Sequence, residues 1–270
     1  MFKYYSILRV SFAMLVASMG LLASEAQVIR VAQWNIGHFS CGRADESSVL
    51  RSQADEVMQK YLALLSKVDA DIISVNEYSP AFTRPDDAGN YLTAAQTVFA
   101  EYPCAVEGPK WQYNCNALFA RKLKWHRPLT KLFDYAVEKR YYQQATIRVG
   151  GKRVVVVSAH LDWDSGDSGK VYRQRQIREI IERFRNEPHV IICGDWNVDN
   201  LSEYEPFEIA GFSLANKKIP ATEQLNTWPA GPAPNLPLDN IIVKGLRLSN
   251  VRVYNDAELS DHCMIVADVE

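Results

Sequence analysis

Several short apolar runs in this 270-residue chain lead directly into residues that can do chemistry. Val28 to Trp34 ends at Asn35, Ile72 to Asn76 ends at Glu77, and Val154 to Ala159 ends at His160, with Asp162 two residues on. Val190 to Gly194 ends at Asp195 and is followed by Asn197, Asp239 opens another apolar run, and Asp261-His262 precedes the last one. Carboxylate and amide oxygens suit a hard divalent cation. A carboxylate on one imidazole nitrogen fixes the tautomer at the other, as acid–base work requires. The set lacks a Ser or Cys with its own base and contains no glycine-rich phosphate loop, so covalent nucleophilic catalysis and a nucleotide cradle are disfavoured.

The elements that must position these residues alternate strand and helix. Apolar residues at helical spacing run from Ser47 to Val68, Tyr91 to Ala100 and Lys170 to Asn186, with Val171, Ile177, Ile180, Ile181 and Phe184 on one face of the last. Strands are expected at Val28–Trp34, Asp71–Val75, Ala117–Arg121, Tyr142–Val149, Arg153–Ala159, Val190–Cys193, Asp239–Val243, Val251–Tyr254 and Cys263–Asp268. Gly150-Gly151 marks a hairpin, and residues 220–237, with five prolines, mark a loop. With no repeat and no linker, the pattern predicts one α/β domain. In such sheets the strand ends border the crevice where ligands bind.

Trp34-Asn35, Ser74-Val75-Asn76-Glu77, Ser158-Ala159-His160-Leu161-Asp162, Gly194-Asp195-Trp196-Asn197, Leu238-Asp239-Asn240-Ile241-Ile242 and Ser260-Asp261-His262 resemble, in order, the motifs of the endonuclease/exonuclease/phosphatase superfamily. The resemblance runs from about Val28 to the C-terminus. It implies a four-layer α/β sandwich, two mixed sheets flanked by helices as in deoxyribonuclease I, and metal-dependent hydrolysis of a phosphate ester. It also implies Glu77 and Asn35 as ligands of Mg²⁺ or Mn²⁺, with Asp261 as a further or water-mediated ligand. Asp195 or His262 would take the proton of the attacking water, Asp239 would orient His262, Asn197 would donate to a phosphoryl oxygen, and His160 would contact phosphate or help protonate the leaving group. Where relatives carry a second acidic ligand shortly after the Asn, this chain has Ile36-Gly37-His38, which favours one tightly bound metal and leaves His38 to occupy that neighbourhood. The resemblance leaves the substrate open: a nuclease or general phosphodiesterase ranks first, ahead of a phosphomonoesterase, a sphingomyelinase-type lipid phosphodiesterase and a non-catalytic binding module.

Residues 1–26 read as a secretory signal peptide: Lys3 and Arg9 precede an apolar run from Val10 to Leu22, and Ser24-Glu25-Ala26 offers a cleavage site. The expected product, residues 27–270, is an exported or periplasmic monomer with no stable membrane insertion. Trp34, Trp196 and Trp228 read as packing residues, with Trp228 the best placed to wall a substrate. Arg173 and Gln176 read as scaffold, and Cys193 and Cys263 as buried thiols. Cys104 and Cys115 flank a turn signal at Glu107-Gly108-Pro109-Lys110, a spacing that allows a hairpin disulfide.

The net charge of -2 excludes a uniformly basic polyanion binder but conceals segregation. Residues 27–120 carry 7 bases and 11 acids, residues 121–185 carry 16 and 7, and residues 186–270 carry 5 and 13. The basic middle is suited to steering a polyanion such as nucleic acid toward the acidic region that holds Asp195, Asp239 and Asp261.

Overall fold

The computed structural model describes residues 27–39, 51–78, 98–108, 115–137, 139–164, 166–198, 200–218, 227–229 and 236–270. The leader at 1–26, Cys41, most of the Tyr91–Ala100 helix expectation and most of the Pro-rich loop lie outside these residues. In chain order the elements are β1 (Ile29–Asn35), α1 (Arg51–Val68), β2 (Ile72–Asn76), β3 (Cys104–Glu107), β4 (Ala117–Ala120), β5 (His126–Leu132), β6 (Tyr141–Val149) and β7 (Lys152–His160). Then follow α2 (Asp167–Phe184), β8 (Val190–Asp195), α3 (Glu205–Ile209), β9 (Ser213–Leu214), β10 (Asp239–Lys244), β11 (Leu248–Tyr254) and β12 (Met264–Val269).

The strands form two mixed six-stranded sheets, ordered β11-β12-β1-β2-β4-β3 and β5-β6-β7-β8-β10-β9. Among the described residues parallel pairing is confined to β1 with β2 and β7 with β8. Three apolar layers hold the stack together. Ile29, Val31, Ile72, Val154, Val156, Ile191 and Ile241 meet between the sheets. Trp34, Ile73 and Val75 pack against Tyr61, Leu64 and Leu65 of α1 outside the first sheet. Val155, Val157 and Ile192 pack against Ile177, Ile180 and Phe184 of α2 outside the second. This is the expected four-layer sandwich, in which the central strands β1, β2, β7, β8 and β10 are buried on both faces because each face meets a layer.

Gly150 and Gly151 both adopt positive φ, +54° and +81°, and close the β6–β7 hairpin as the sequence predicts. The α2 expectation needs one correction: the helix begins at Asp167, and Val171 is 48% exposed, because six residues at about 100° each put it about 120° round the helix from the buried Ile177. The Cys104–Cys115 disulfide is also corrected. The β3–β4 register places Cys104 opposite Ala120 at the far end of the hairpin, and Cys115 is a free, buried thiol. Cys193 and Cys263 are buried thiols as expected. Among the described residues no helix is long and apolar enough to cross a membrane.

Arg173 and Glu203 form a fully buried ion pair, with Nε and Oε2 3.2 Å apart, that ties α2 to the turn before α3. Removing one partner withdraws an opposite charge from an ion that stays fully buried. Glu203→Ala is therefore expected to lower the unfolding free energy by about 3–5 kcal/mol, measured by urea denaturation; a loss under about 1 kcal/mol would contradict the assignment.

At the opposite end of the first sheet Asp268 accepts from Arg30 Nε at 2.8 Å and from Asn250 Nδ2 at 2.9 Å. Burial works to raise its pKa, but these hydrogen bonds outweigh it and hold the carboxyl below its ordinary value. A depressed carboxylate contributes stability above its unfolded pKa and loses it as pH falls through the folded one. Asp268→Asn should cost about 1–2 kcal/mol at pH 7, discounted because Arg30 is a third exposed. The difference should shrink as pH falls below the ordinary carboxylate range and through the depressed folded pKa of Asp268. Equal urea midpoints at pH 7 would refute this.

Candidate active site

Strand register gathers the candidate residues. In the second sheet Asp195 of β8 lies beside His160 of β7 in the parallel pair and opposite Asp239 of β10 in the antiparallel one. Three strands thus deliver His160, Asp195 and Asp239 in one row. In the first sheet Asn35 of β1 pairs with Asn76 of β2, and Glu77 follows. Side chains alternate across a strand, so residues two apart share a face. Ile29 and Val31 therefore point between the sheets with Gln33 and Asn35, and Val154 and Val156 with Ser158 and His160. The inter-sheet face is apolar along most of its length and polar at one end.

Hydrogen bonds stitch that polar end across the two sheets. Asn35 Nδ2 donates to Asp195 Oδ2 at 2.9 Å, and Ser74 Oγ and Ser158 Oγ lie 2.9 Å apart. Gln33 Nε2 donates to Asp239 Oδ1 at 3.1 Å and to Asn76 Oδ1 at 2.7 Å. Asn76 Oδ1 also accepts from the Asp195 backbone N–H at 2.9 Å, while its Nδ2 donates to Asn116 Oδ1 and to the Ala159 carbonyl. Gly194 makes the tight β7–β8 approach below the row: a Cβ there would stand 2.4 Å from the Ala159 carbonyl oxygen.

Asp239 Oδ2 and His262 Nδ1 are 2.8 Å apart, which leaves His262 Nε2 facing Asp195 Oδ2 at 3.9 Å. His160 Nε2 is 3.5 Å from the same Asp195 oxygen and 4.0 Å from Glu77 Oε1. Asp195 Oδ1 accepts from the Asn197 backbone N–H at 3.0 Å, and Asn197 Nδ2 donates to the Leu161 carbonyl. The loop carrying His262 is fixed by Ser260, whose Oγ donates to the Asn35 carbonyl at 2.7 Å and accepts from the His262 N–H at 3.0 Å. Asn35, Glu77, His160, Asp195, Asn197, Asp239 and His262 thus form one connected cluster. Asp261 stands at its side, where its carboxylate accepts from Trp228 Nε1 at 3.1 Å. Trp228 lies 6.2 Å from the His262 ring and walls that side, whereas Trp34 and Trp196 are packed in the core.

Burial and charge separate the titrating groups. Burial raises Asp195, aided by Asp239 and opposed by His262 and Asn35, and the net shift is upward. Burial works against a charged His262, but the carboxylates of Asp239 and Asp195 prevail and raise it. His160 moves well downward through burial and the nearby Arg140 guanidinium. Burial would raise Glu77, yet the His38 hydrogen bond and the surrounding imidazoles hold it well below the usual carboxylate range.

Among the described residues of this cluster, two donor groups have the chemistry to hold a cation. Donor atoms of Asp195, Asp239 and His262 fall within 4.8 Å of one another, but Asp239 and His262 already satisfy each other. Glu77, with its side chain 27% exposed, offers hard oxygen donors with solvent access, which fits a divalent cation that keeps some of its waters, and the buried Asn35 Oδ1, which accepts from the Gly37 N–H at 3.0 Å, is the amide oxygen of the adjoining strand end.

Four contributors escape a reading of strand ends alone: Gln33, Asn76, Asn116 and Arg140. The first two continue a period-two pattern and were legible by that signal. Asn116 and Arg140 carry none, since each is placed by packing from a distant segment. Asp162, flagged with His160, is instead a strut: Oδ2 accepts from Gln176 Nε2 at 2.7 Å and the Val137 N–H at 3.2 Å, and Oδ1 lies 3.9 Å from Arg140.

The sequence profile of the endonuclease/exonuclease/phosphatase family matches residues 32–262. No curated protein sequence matches. Among solved structures, the chain is similar to D. rerio TDP2 complexed with a single-strand DNA product, at 17% identity and a TM-score of 0.68 over 90% of this chain and 99% of that one. It is similar to an endonuclease/exonuclease/phosphatase from Bacteroides vulgatus, at 20% identity and a TM-score of 0.67 over 90% and 98%. The catalytic domain of human Nocturnin with bound sulfate gives 18% identity and a TM-score of 0.65 over 90% and 94%. With the profile spanning most of its length and both sheets in place, the chain belongs to the endonuclease/exonuclease/phosphatase family, whose members are metal-dependent phosphoesterases.

Proposed function

We propose that this protein is an exported, divalent-cation-dependent phosphodiesterase that uses Mg²⁺ or Mn²⁺. The observation that carries the reading is the connected cluster in which Asp195 meets Asn35, His160, His262 and Asn197 at one end of the sandwich. Glu77 and Asn35 would hold the cation, with Asp261 reaching it through water. Bound there, the cation would neutralise non-bridging phosphoryl oxygens and stabilise charge on the leaving oxygen.

The protein's own groups divide the remaining work. Asp195, raised by burial, accepts a proton from the attacking water, and Asn35 and the Asn197 N–H fix the direction of its carboxylate. His262, kept cationic by Asp239, donates from Nε2 to a phosphoryl oxygen, where charge grows in the transition state. Asn197 has a second amide hydrogen for the same purpose, and His160 contacts phosphate or the leaving oxygen. Fixed donors of this kind are effective because they need no reorganisation as charge develops.

A nucleic acid or another organic diester is favoured over inorganic or small sugar phosphates by the rim. Trp163, three residues past His160, is 63% exposed, and Tyr135 and Val137 are exposed on the segment whose Val137 N–H donates to Asp162. Arg175 lies 4.7 Å above the Tyr135 ring, so the apolar rim is edged with positive charge. The structural similarity to a TDP2 bound to a single-strand DNA product supports the same choice.

Hydrolysis of bis-p-nitrophenyl phosphate is expected to stop with EDTA and return with Mg²⁺ or Mn²⁺. Asp195→Asn and His262→Ala should each lower kcat by about 10²–10⁴-fold without loss of fold. Unchanged turnover in either variant would overturn the roles given, and inactivity toward this ester, plasmid DNA, RNA and sphingomyelin alike would overturn the activity. The leader reading predicts that protein recovered outside the cytoplasm begins at Gln27 on amino-terminal sequencing; an intact Met1 there would contradict it.

A further inference from the structure

The turn after β1 does more than connect. Gly37 to Phe39 forms a single 3-10 turn in which His38 takes the left-handed conformation at φ 54° and ψ 23°. Such a backbone is uncommon for a residue with a side chain and is held here from several sides. Gly37 N–H donates to Asn35 Oδ1 at 3.0 Å, and His38 N–H donates to the Glu77 carbonyl at 3.1 Å. Phe39 wedges against Tyr61, Tyr78 and Phe99 at ring separations of 5.5, 6.1 and 6.5 Å. Glu77 is itself left-handed at φ 51°. Two strained residues, just past the ends of β1 and β2, therefore face each other, with the imidazole Nε2 of His38 3.1 Å from Glu77 Oε2.

That separation has chemical meaning. Two ligands at about 2.0–2.2 Å from one cation, at right angles, stand about 3 Å apart. His38 Nε2 and Glu77 Oε2 are already spaced as adjacent ligands of one ion. The other Glu77 oxygen, Oε1, is 4.0 Å from His160 Nε2, so the carboxylate lies between two imidazoles. Mg²⁺ prefers oxygen and parts with water reluctantly, whereas later first-row cations accept imidazole and gain affinity from it.

We propose that His38 Nε2 is a nitrogen ligand beside Glu77, and that the centre therefore prefers a first-row transition cation over Mg²⁺. The inference rests on the proposed phosphoesterase site and deepens it by naming the class of ion. On binding, the Nε2 proton moves to Nδ1 or to solvent, freeing the lone pair that ligates the ion. The ordinary alternative is that His38 only props Glu77 by a hydrogen bond, in which case its loss would weaken every cation alike.

Pulsed electron paramagnetic resonance on Mn²⁺ bound to the intact protein separates the two. The wild-type signal is expected to show ¹⁴N modulation from coordinated imidazole, and His38→Gln should lose one nitrogen coupling. Titrations should show Mn²⁺ affinity falling at least about tenfold in His38→Gln while Mg²⁺ affinity changes less than about threefold. Saturable Mn²⁺ binding with active hydrolysis but no ¹⁴N coupling would overturn this inference alone. So would a coupling unchanged in His38→Gln, or an equal loss of both cations. The wild-type spectrum needs no variant, so a poorly folding substitution does not remove the test. Absence of any saturable cation binding would instead overturn the metal-dependent reading as a whole.

Discussion

The site depends on strand register. Asp195 occupies one rung with His160 on its parallel neighbour and Asp239 on its antiparallel neighbour, and a one-residue slip would turn any of them to the opposite face of the sheet. The same rung is tied to the first sheet by Asn35, Gln33 and Asn76, so the two sheets are located relative to each other where the chemistry is. Apolar packing between the sheets is non-directional and would tolerate small shifts. The polar end, in which each buried donor needs its acceptor, removes that freedom.

Such an arrangement is costly alone and stable only as a whole. Gln33, Asn35, Asn76, Asp195 and Asp239 are almost entirely withdrawn from water, where an unpaired polar group costs about 1–3 kcal/mol. Their mutual hydrogen bonds offset the cost and fix the side chains, with His262 and Thr227 holding Asp239 from outside the strands. Of the groups that touch solvent, Glu77, His38 and Trp163 are carried just beyond the strand ends, and Trp228 on the segment between β9 and β10. Reaction chemistry thus sits on the rigid scaffold and substrate selection on the rim, a division that lets one fold serve many esters.

Much of this was legible in the sequence because strand periodicity carries it. The apolar runs located β1, β2, β4, β6, β7, β8, β10, β11 and β12, and the residue ending each run located Asn35, Glu77, His160 and Asp195. The relation of Asp239 to His262 came from the resemblance, and in the structure the two side chains lie 2.8 Å apart. β5 escaped notice because it is an exposed edge strand, with Pro128 and a bulge between His126 and Leu129, and so lacks a buried alternating face. Arg140 and Asn116 were illegible for a different reason: their roles arise from packing against segments remote in sequence, which no local pattern records. The disulfide expectation failed because spacing along the chain says nothing of where a hairpin's register will start.

The central claim is that the polar end of the sandwich is where a phosphate ester and its cation meet. A crystal structure with a divalent cation and a slowly hydrolysed phosphorothioate diester tests it most directly. The account predicts the cation on Glu77 and the phosphorus atom among Asp195, His160 and His262, within about 3–4 Å of their polar atoms. An analogue bound elsewhere, with Glu77 free of the cation and the Asp239–His262 pair turned away from it, would contradict the account.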